Sequence, residues 1–320
     1  MLRIPMIFPG QASQAVGMAS DLASGDGPGA EFLAGMDAAL DFKLSDIMRD
    51  GPAETLTETW NAQPAILAHS VAVALELQSR GIEPSVVAGH SLGEFSAAVA
   101  VGAMTPADGL RLVRRRGELM FESGRQRSGT MAAVMGLPAG RVGEICREVS
   151  RTEGVVVVAN HNSSAQIAIS GEIAAVEAAC TALKEAGAKR AIRLNVSGAF
   201  HSPLLADAAV EFAGHLDGMA ISDAAAPLVA NVSAGPVTAA DDLKDGFRRQ
   251  LTSPVLWHDS LAAIVLGSVD GVKPRVVIEA GPGRVLSNMA RREHPDVTFL
   301  PIGTVADLDT VLDRIGEILE

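Results

Sequence analysis

The chain has 320 residues, which is enough for one large domain or for a large domain that carries a smaller inserted one. Apolar residues make up 48% of it, yet no run of eighteen residues is free of charge, so we expect a globular protein and no membrane span. The net charge of −12 argues against a general nucleic-acid-binding protein, because neutralising phosphates requires a basic surface.

In chain order, the first predicted element is an apolar strand over residues 4–8, followed by a polar loop over residues 9–14. Loops at the carboxyl ends of strands are where α/β folds bind ligands. Residues 31–48 show helical spacing of apolar side chains. A long helix is then predicted over residues 61–79, with Pro64 in its first turn, where helix starts favour proline.

The next stretch is an apolar run that stops at Gly89 and resumes, one serine later, as a helical pattern after Gly93. A serine in G-x-S-x-G spacing fits a nucleophile elbow, in which a sharp strand-to-helix turn exposes the nucleophile. Ser91 would stand at the tip of this turn, with the N–H of Leu92 aimed at a developing oxyanion. Five residues with three fixed also occur by chance, but the apolar strand before the motif and the packed helix after it favour the catalytic interpretation.

A second helix start is predicted at Thr105, which is followed by proline. When the next residues are projected at 100° per residue, Arg116 falls in the middle of the apolar arc. Burying an arginine costs several kcal/mol unless an anion meets it, so Arg116 either pairs with a buried structural carboxylate or binds an anionic ligand. The polar arc is predicted to be solvated and contains Arg111, Arg114 and Arg115.

The pattern changes after residue 128. The predicted strands cover residues 130–136, 155–160, 166–170 and 189–194, and the predicted helices cover residues 139–150 and 172–186. This βαββαβ order is the ferredoxin-like arrangement. The sequence therefore predicts an α/β protein: a large α/β-hydrolase-like domain with a mostly parallel sheet, over residues 1–127 and 198–320, and an inserted small ferredoxin-like domain over residues 128–197.

A serine nucleophile needs a base within hydrogen-bond reach. Of the seven histidines, His201 is the candidate, because it lies in a glycine-rich loop over residues 198–203 where the chain returns from the small domain to the large one. That position would overhang the cleft. By pattern alone, however, any one histidine is more often structural.

Seven segments carry a resemblance, and they follow one another in order along nearly the whole chain. They are Phe8-Pro9-Gly10-Gln11-Ala12-Ser13-Gln14, Asn61-Ala62-Gln63-Pro64-Ala65, Gly89-His90-Ser91-Leu92-Gly93-Glu94, Arg116-Gly117, Gly198-Ala199-Phe200-His201-Ser202-Pro203, Asn231-Val232-Ser233 and Glu279-Ala280-Gly281-Pro282-Gly283. With these segments the chain resembles malonyl-CoA:acyl carrier protein transacylases and the acyltransferase domains of polyketide synthases. Seven motifs in the same order are far more specific than one elbow.

The resemblance implies a dyad of Ser91 and His201, in which a backbone carbonyl near Gln250 orients the base in place of an acid. It also implies that the oxyanion is held by the backbone N–H groups of Gln11 and Leu92.

The resemblance further implies that Arg116 binds the malonyl carboxylate, which would answer the question raised by its position on the helix. It places Gln63 and Gln250 in the lining of the site, and Phe200, in the run before His201, matches malonyl-selective members. Three positions depart from the family pattern, and these are Ala12, Phe95 and Phe121.

The expected function is therefore transfer of a malonyl group from malonyl-CoA to an acyl carrier protein, through a malonyl-serine intermediate and without a metal or organic cofactor. Such an enzyme could serve fatty-acid synthesis, a polyketide system or a malonate decarboxylase. The alternatives are a serine hydrolase of the thioesterase or esterase type and a non-catalytic carrier-binding module.

Further expectations concern partners and surroundings. The expected partners exclude nucleic acid and membranes, and a monomer is expected. Two cysteines, Cys146 and Cys180, predict no disulfide framework or metal site, and the start shows no signal-peptide cleavage pattern, so the expected location is the cytoplasm. Docking of an acidic carrier protein would need a local basic cluster. The candidates are Arg111, Arg114, Arg115, Arg125 and Arg127, or Lys189, Arg190 and Arg193.

Overall fold

The fold is that of a computed structural model, which describes residues 1–196 and 198–320. The strands are β1 (Leu2–Phe8), β2 (Ile82–Gly89), β3 (Gly129–Met135), β4 (Val156–Ser163), β5 (Gln166–Glu172), β6 (Arg190–Arg193), β7 (Leu228–Val229), β8 (Pro236–Val237), β9 (Val276–Ala280) and β10 (Thr298–Ile302). The α-helices are α1 (Ser20–Ala23), α2 (Pro28–Leu40), α3 (Leu44–Asp50), α4 (Ala53–Thr57), α5 (Thr59–Ser79), α6 (Gly93–Ala100), α7 (Pro106–Gln126), α8 (Ala139–Val149), α9 (Ile173–Glu185), α10 (Ala206–Asp217), α11 (Ala240–Gln250), α12 (Trp257–Val265), α13 (Val285–Ala290) and α14 (Val305–Leu319).

The larger sheet contains six strands in the order β10-β9-β1-β2-β7-β8. Neighbouring strands run parallel, apart from the antiparallel pair β7 and β8. Within this sheet, Phe8 of β1 pairs with Gly89 of β2, and Ile7 of β1 pairs with Glu279 of β9. The loops that follow β1, β2 and β9 therefore meet at one edge of the sheet, which is where α/β sheets bind ligands.

Helices cover both faces of this sheet. Met6 and Phe8 of β1 pack into a core that includes Phe95 of α6, whereas Ile7 points to the opposite core around Trp257 of α12. This alternation follows from the two-residue period of a strand. The result is a three-layer domain, and the mostly parallel sheet predicted from the sequence is confirmed.

The second sheet has four antiparallel strands in the order β4-β5-β3-β6. Helices α8 and α9 pack on it around a core of their own, which contains Val134, Val142 and Val176. The chain order βαββαβ and the strand order confirm the ferredoxin-like arrangement. We propose the division at residues 127/128 and 197/198 on this basis, although residue 197 itself lies outside the described residues.

Strand β4 also contacts the large domain. The N–H of Val255 donates to the carbonyl of Ala159 at 2.8 Å, and the N–H of His161 donates to the carbonyl of Val255 at 2.9 Å. These two bonds fasten the small sheet to the segment between α11 and α12.

Two sequence predictions about helices are wrong in detail. The helical pattern over residues 31–48 is two helices, because the chain turns at Asp41, whose φ is 58°. Helix α5 begins at Thr59, so Pro64 lies inside it, beyond the first turn. Proline has no N–H for the carbonyl four residues earlier, and that carbonyl, on Trp60, instead accepts a hydrogen bond from Arg114 at 3.2 Å.

Within the described residues, none of the helices combines the length and the apolar character needed to cross a membrane.

Candidate active site

The elbow predicted around Ser91 is present, between the end of β2 and the start of α6. Ser91 has a φ of 52°, an uncommon conformation for a residue with a side chain. A Cβ on Gly89 would lie 1.9 Å from the carbonyl carbon of Gly93, and a Cβ on Gly93 would lie 2.1 Å from the carbonyl oxygen of Phe8. The close approach of strand and helix therefore requires both glycines.

Asn231 holds this turn in place from the loop after β7. Its Oδ1 accepts the backbone N–H of Ser91 at 2.8 Å, and its Nδ2 donates to the carbonyl of Gly89 at 2.7 Å. Asn231 is fully buried. The strained turn thus has partners for its polar groups on both sides of Ser91.

Ser91 and His201 are in direct contact. The Oγ of Ser91 lies 2.8 Å from Nε2 of His201, and Nδ1 of His201 lies 3.0 Å from the backbone carbonyl of Gln250. Because a carbonyl oxygen can only accept, Nδ1 carries the proton and Nε2 is left to accept the serine proton. Burial, reinforced by the charge of Arg116, lowers the pKa of His201 to about 3, so the ring is neutral at physiological pH.

Arg116 is fully buried beside this pair. Its Nη1 donates to Oε1 of Gln63 at 2.8 Å, and its Nη2 donates to Oγ of Ser91 at 3.0 Å and to Oε1 of Gln250 at 2.8 Å. Its Nε has no hydrogen-bond partner in the part of the chain that the structure describes. Burial lowers the pKa of Arg116 to about 10, with the charge of Glu94 opposing that shift, so the guanidinium stays charged at neutral pH.

The sequence left two interpretations of the buried Arg116, a structural ion pair or an anionic ligand. No described residue forms an ion pair with Arg116. Its acceptors are two amide oxygens and a hydroxyl, and the hydroxyl belongs to the serine of the elbow. The geometry therefore favours an anionic ligand over a structural ion pair as the partner of the guanidinium.

The buried carboxylate whose charge acts on Arg116 belongs to Glu94 of α6. It accepts the N–H of Asn231 at 3.0 Å and a short hydrogen bond from Nε2 of Gln250. Desolvation raises the pKa of Glu94 to about 7, partly offset by those hydrogen bonds and by Arg116. The same Nε2 of Gln250 also donates to the carbonyl of Ser91 at 2.9 Å.

The two backbone N–H groups expected at the oxyanion lie on neighbouring loops. A Cβ on Gly10 would lie 2.6 Å from the carbonyl oxygen of His90, so the loop that carries Gln11 touches the elbow. The amide N–H groups of Gln11 and Leu92 donate to no acceptor among residues 1–196 and 198–320. Both donors are thus available to a ligand, whereas the N–H of Ser91 is used by Asn231.

A cavity of about 450 Å³ opens beside these groups. Gln11 and Phe200 line it on the side of the site, and Trp60 and Phe121 form one wall as an edge-to-face pair with ring centroids 4.3 Å apart. Phe121 is one of the positions that depart from the family pattern. The cavity adjoins the site through Gln11 and Phe200, and neither Ser91 nor His201 is part of its lining.

The predicted site residues therefore fall into two groups. Five form one hydrogen-bonded network, and these are Gln63, Ser91, Arg116, His201 and Gln250. The other three lie around this network: Gln11 and Leu92 offer backbone N–H groups, and Gln11 and Phe200 line the cavity.

The sequence predicts no role for Glu94 or Asn231, although both lie within the motifs that carry the resemblance. One signal could have found Glu94, since it is the only charged residue of helix α6. Asn231 offers no comparable signal, because its partners are 137 to 142 residues away in the chain.

The outer arginines of α7 are only partly a solvated face. Arg111 is 57% exposed, as predicted, but Arg114 and Arg115 are only 25% and 27% exposed, and all three pair with carboxylates. For these two residues the prediction of a solvated face is wrong. Both cysteines are free thiols, and no cluster of three or more metal-ligating side chains is found in the described residues.

Comparison with known proteins places this geometry in context. Residues 6–298 match the family model for an acyl transferase domain. The chain is 38% identical over 317 residues to the malonyl CoA-acyl carrier protein transacylase of Bacillus subtilis (strain 168), covering 99% of this chain and 98% of the relative. It is 39% identical to the protein of the same name from Escherichia coli O157:H7, covering 91% and 93%.

Solved structures agree with these matches. An acyl carrier protein S-malonyltransferase from Vibrio cholerae O1 biovar eltor str. N16961 superimposes with a TM-score of 0.90 at 38% identity, covering 96% of this chain and 99% of that one. A malonyl-transacylase solved in complex with its type II PKS acyl-carrier protein gives a TM-score of 0.91 at 36% identity, covering 98% and 99%.

Proposed function

The chain belongs to the acyltransferase family of malonyl-CoA:acyl carrier protein transacylases, and we propose that it transfers malonyl groups from malonyl-CoA to the phosphopantetheine thiol of an acyl carrier protein. The observation that carries the proposal is the position of Arg116. A buried guanidinium in contact with the nucleophilic serine, without an acid of its own, suits an acyl group that brings its own carboxylate.

In the first half-reaction, Nε2 of His201 takes the proton of Ser91 as Oγ attacks the thioester carbonyl. The hydroxyl already accepts an N–H from Arg116, so its own proton is directed at His201. The N–H groups of Gln11 and Leu92 stabilise the oxyanion. When the tetrahedral intermediate collapses, the CoA sulfur leaves with the proton held by His201, and malonyl-Ser91 remains.

The second half-reaction runs the same steps with the thiol of the carrier protein. His201 takes the thiol proton, the sulfur attacks the ester carbonyl of malonyl-Ser91, and the proton returns to Oγ of Ser91 as the serine leaves. The cavity lined by Trp60, Phe121 and Phe200 holds the pantetheine arm, which is common to both substrates. No metal or organic cofactor takes part in these steps.

The carrier protein docks on the small-domain cluster of Lys189, Arg190 and Arg193. Strand β6 leads directly to Asn195 and Val196, which line the cavity. Of the residues that the structure describes, none forms an ion pair with Lys189 or Arg190, although Arg193 pairs with Glu177 at 3.4 Å. In the other cluster Arg111, Arg114, Arg115 and Arg127 are paired with carboxylates, which leaves Arg125 as its one cation without an ion pair in the described residues. Free cations are better placed to meet an acidic partner.

We further propose that the protein acts as a cytoplasmic monomer without nucleic acid or membrane partners. Support comes from the network itself, since every group in the dyad and around Arg116 belongs to one chain. The net charge of −12 and two free thiols fit these surroundings. Light scattering of the purified protein tests the monomer.

The proposal is tested by brief exposure to malonyl-CoA followed by mass spectrometry of peptides. A malonyl adduct is expected on the peptide that contains Ser91, and Ser91→Ala should carry none. An adduct elsewhere would contradict the assignment. In the same reaction without carrier protein, a burst of CoA equal to the enzyme is expected, whereas steady release would instead indicate a thioesterase or esterase.

A further inference from the structure

Gln250 lies at the centre of the site, since it contacts both the base and the guanidinium. Its backbone carbonyl accepts from Nδ1 of His201, and its side-chain Oε1 accepts from Arg116. A carboxamide can be turned by 180° with almost no change in shape, which exchanges its donor and its acceptor. The orientation of the Gln250 carboxamide therefore depends on the partners at both of its ends, of which Arg116 is one.

Two acceptors face the other end of the carboxamide. Nε2 of Gln250 donates to the carbonyl of Ser91 and to the carboxylate of Glu94. The second oxygen of Glu94 is occupied by the N–H of Asn231. An ionised carboxylate can only accept, so Glu94 satisfies two donors at once and excludes the turned carboxamide, which would place oxygen against oxygen.

We propose that Glu94 is a positioning residue that fixes the Gln250 carboxamide and, through it, the Arg116 guanidinium that selects the malonyl group. The proposal rests on the proposed function, because it assigns Arg116 to the carboxylate of the acyl group. Glu94 itself lies behind Gln250 and Asn231 and is 1% exposed.

The isosteric variant Glu94→Gln tests this directly, because no orientation of a glutamine at 94 satisfies the network. If its oxygen accepts from Asn231, its NH₂ faces the NH₂ of Gln250. If Gln250 then turns, its NH₂ faces Arg116, donor against donor. If the oxygen of the new glutamine instead accepts from Gln250, its NH₂ faces the N–H of Asn231. Every orientation therefore loses one hydrogen bond of the network around Gln250 and Asn231, while the size of the side chain is kept.

We expect Glu94→Gln to lower kcat/KM for malonyl-CoA by about tenfold, the effect of one charge-assisted hydrogen bond, and to lower acetyl-CoA turnover much less. The malonyl-to-acetyl ratio should therefore fall by nearly the same factor. Glu94→Asp keeps two accepting oxygens on a shorter chain, so its ratio should lie between those of the wild type and Glu94→Gln.

Glu279→Gln is the matched control. Glu279 is also a fully buried carboxylate that accepts two N–H groups, from Leu286 at 3.0 Å and from Ser287 at 2.7 Å, but it contacts none of the network. Its loss should lower the melting temperature and leave the malonyl-to-acetyl ratio unchanged.

The outcomes separate the two proposals. If the wild type shows no preference for malonyl-CoA, the proposed function fails. If the wild type prefers malonyl-CoA and Glu94→Gln keeps the full preference, or Glu279→Gln loses it equally, the positioning role is overturned. Should Glu94→Gln fail to fold, Glu94→Asp decides: an intermediate ratio supports the role and a wild-type ratio rejects it.

Discussion

The arginines on the two sides of helix α7 differ in their partners and in their burial. On the outer side, Arg114 and Arg115 meet carboxylates of Glu118 and Glu211 and are partly open to solvent. On the inner side, Arg116 is completely buried and meets amide and hydroxyl oxygens. The outer cations contact their counter-charges directly, while the inner one contacts only neutral acceptors and is influenced by the charge of Glu94 without an ion pair. This difference supports the proposed role of Arg116 in binding an anionic group of the substrate.

The largest expected effect concerns the base on the inner side. His201→Ala should slow acylation of Ser91 by about 10²–10⁴, the usual contribution of a positioned general base. The measurement is the single-turnover rate of CoA release. His215→Ala is the outer control, since His215 contacts Arg115 on the opposite side of α7 and should leave the rate unchanged. A wild-type rate in His201→Ala would assign the base to another group.

Arg116→Ala is expected to have the next largest effect. Losing a bidentate, charge-assisted partner costs about 1.5–3 kcal/mol, so kcat/KM for malonyl-CoA should fall by roughly 10- to 150-fold. Acetyl-CoA should gain relative to malonyl-CoA, because it brings no carboxylate. Arg116→Lys keeps the charge without the planar fork and should fall between the two.

Arg114→Ala is the matched outer control, since Arg114 lies on the outer side of α7, two residues before Arg116. It removes the pair with Glu118 and the bond to Trp60, so it should lower the melting temperature without changing the malonyl-to-acetyl ratio. An unchanged ratio in Arg116→Ala as well would mean that the inner arginine is structural after all.

A third prediction uses pH to separate the groups around Gln250. The pKa of His201 is about 3, so its ring stays neutral from pH 8 to pH 6, whereas Glu94, with a pKa of about 7, takes up a proton over that interval. Arg116, with a pKa of about 10, stays charged. Protonated Glu94 no longer accepts from both donors, so kcat/KM should fall about tenfold between pH 8 and pH 6.

To check that the fall in kcat/KM at lower pH belongs to Glu94, the pH profile is repeated with Glu94→Gln. For this variant kcat/KM should be low at pH 8 and should not change between pH 8 and pH 6. If kcat/KM of the variant still falls with a midpoint near the ordinary pKa of histidine, then His201 titrates in place of Glu94, and its ring is not neutral throughout this interval.

The smallest expected effect lies at the surface. Reversing Lys189 and Arg190 to glutamate should raise the KM for the carrier protein by about 3- to 10-fold, since exposed charge pairs contribute up to about 1 kcal/mol each. Reversing Arg114 and Arg115, which are already paired, is the control and should change that KM less. The malonyl-CoA burst should be unaffected by the small-domain variant. Equal effects from both variants would reject the choice of cluster.

Sequence patterns were sufficient where the information is local. The elbow at Ser91 follows from the glycines around it, and the buried position of Arg116 follows from the helix wheel. The contacts of Arg116 with Gln63 and Gln250 join residues that are 53 and 134 positions apart in the chain. The family resemblance, and not the spacing of residues, predicted that Gln63 and Gln250 lie in the site. Glu94 was overlooked because its partners, Asn231 and Gln250, come from distant segments.

Local patterns also failed where a distant partner changes a helix. Proline inside a helix normally ends or kinks it, yet α5 continues past Pro64 because Arg114 of another helix supplies the missing donor to Trp60. Sequence spacing within one helix contains no information about that donor.

The two backbone bonds at Val255 have a mechanical consequence. They join the small sheet to the large domain along one line, through Ala159 and His161. Beside them, Oδ1 of Asn162 lies 2.8 Å from Nε2 of His90, and the N–H of Ser164 donates to Glu293 at 2.7 Å, so the end of β4 and the turn after it are held to the large domain at successive points. The amide of Val255 should accordingly be among the slowest in the molecule to exchange its hydrogen with solvent.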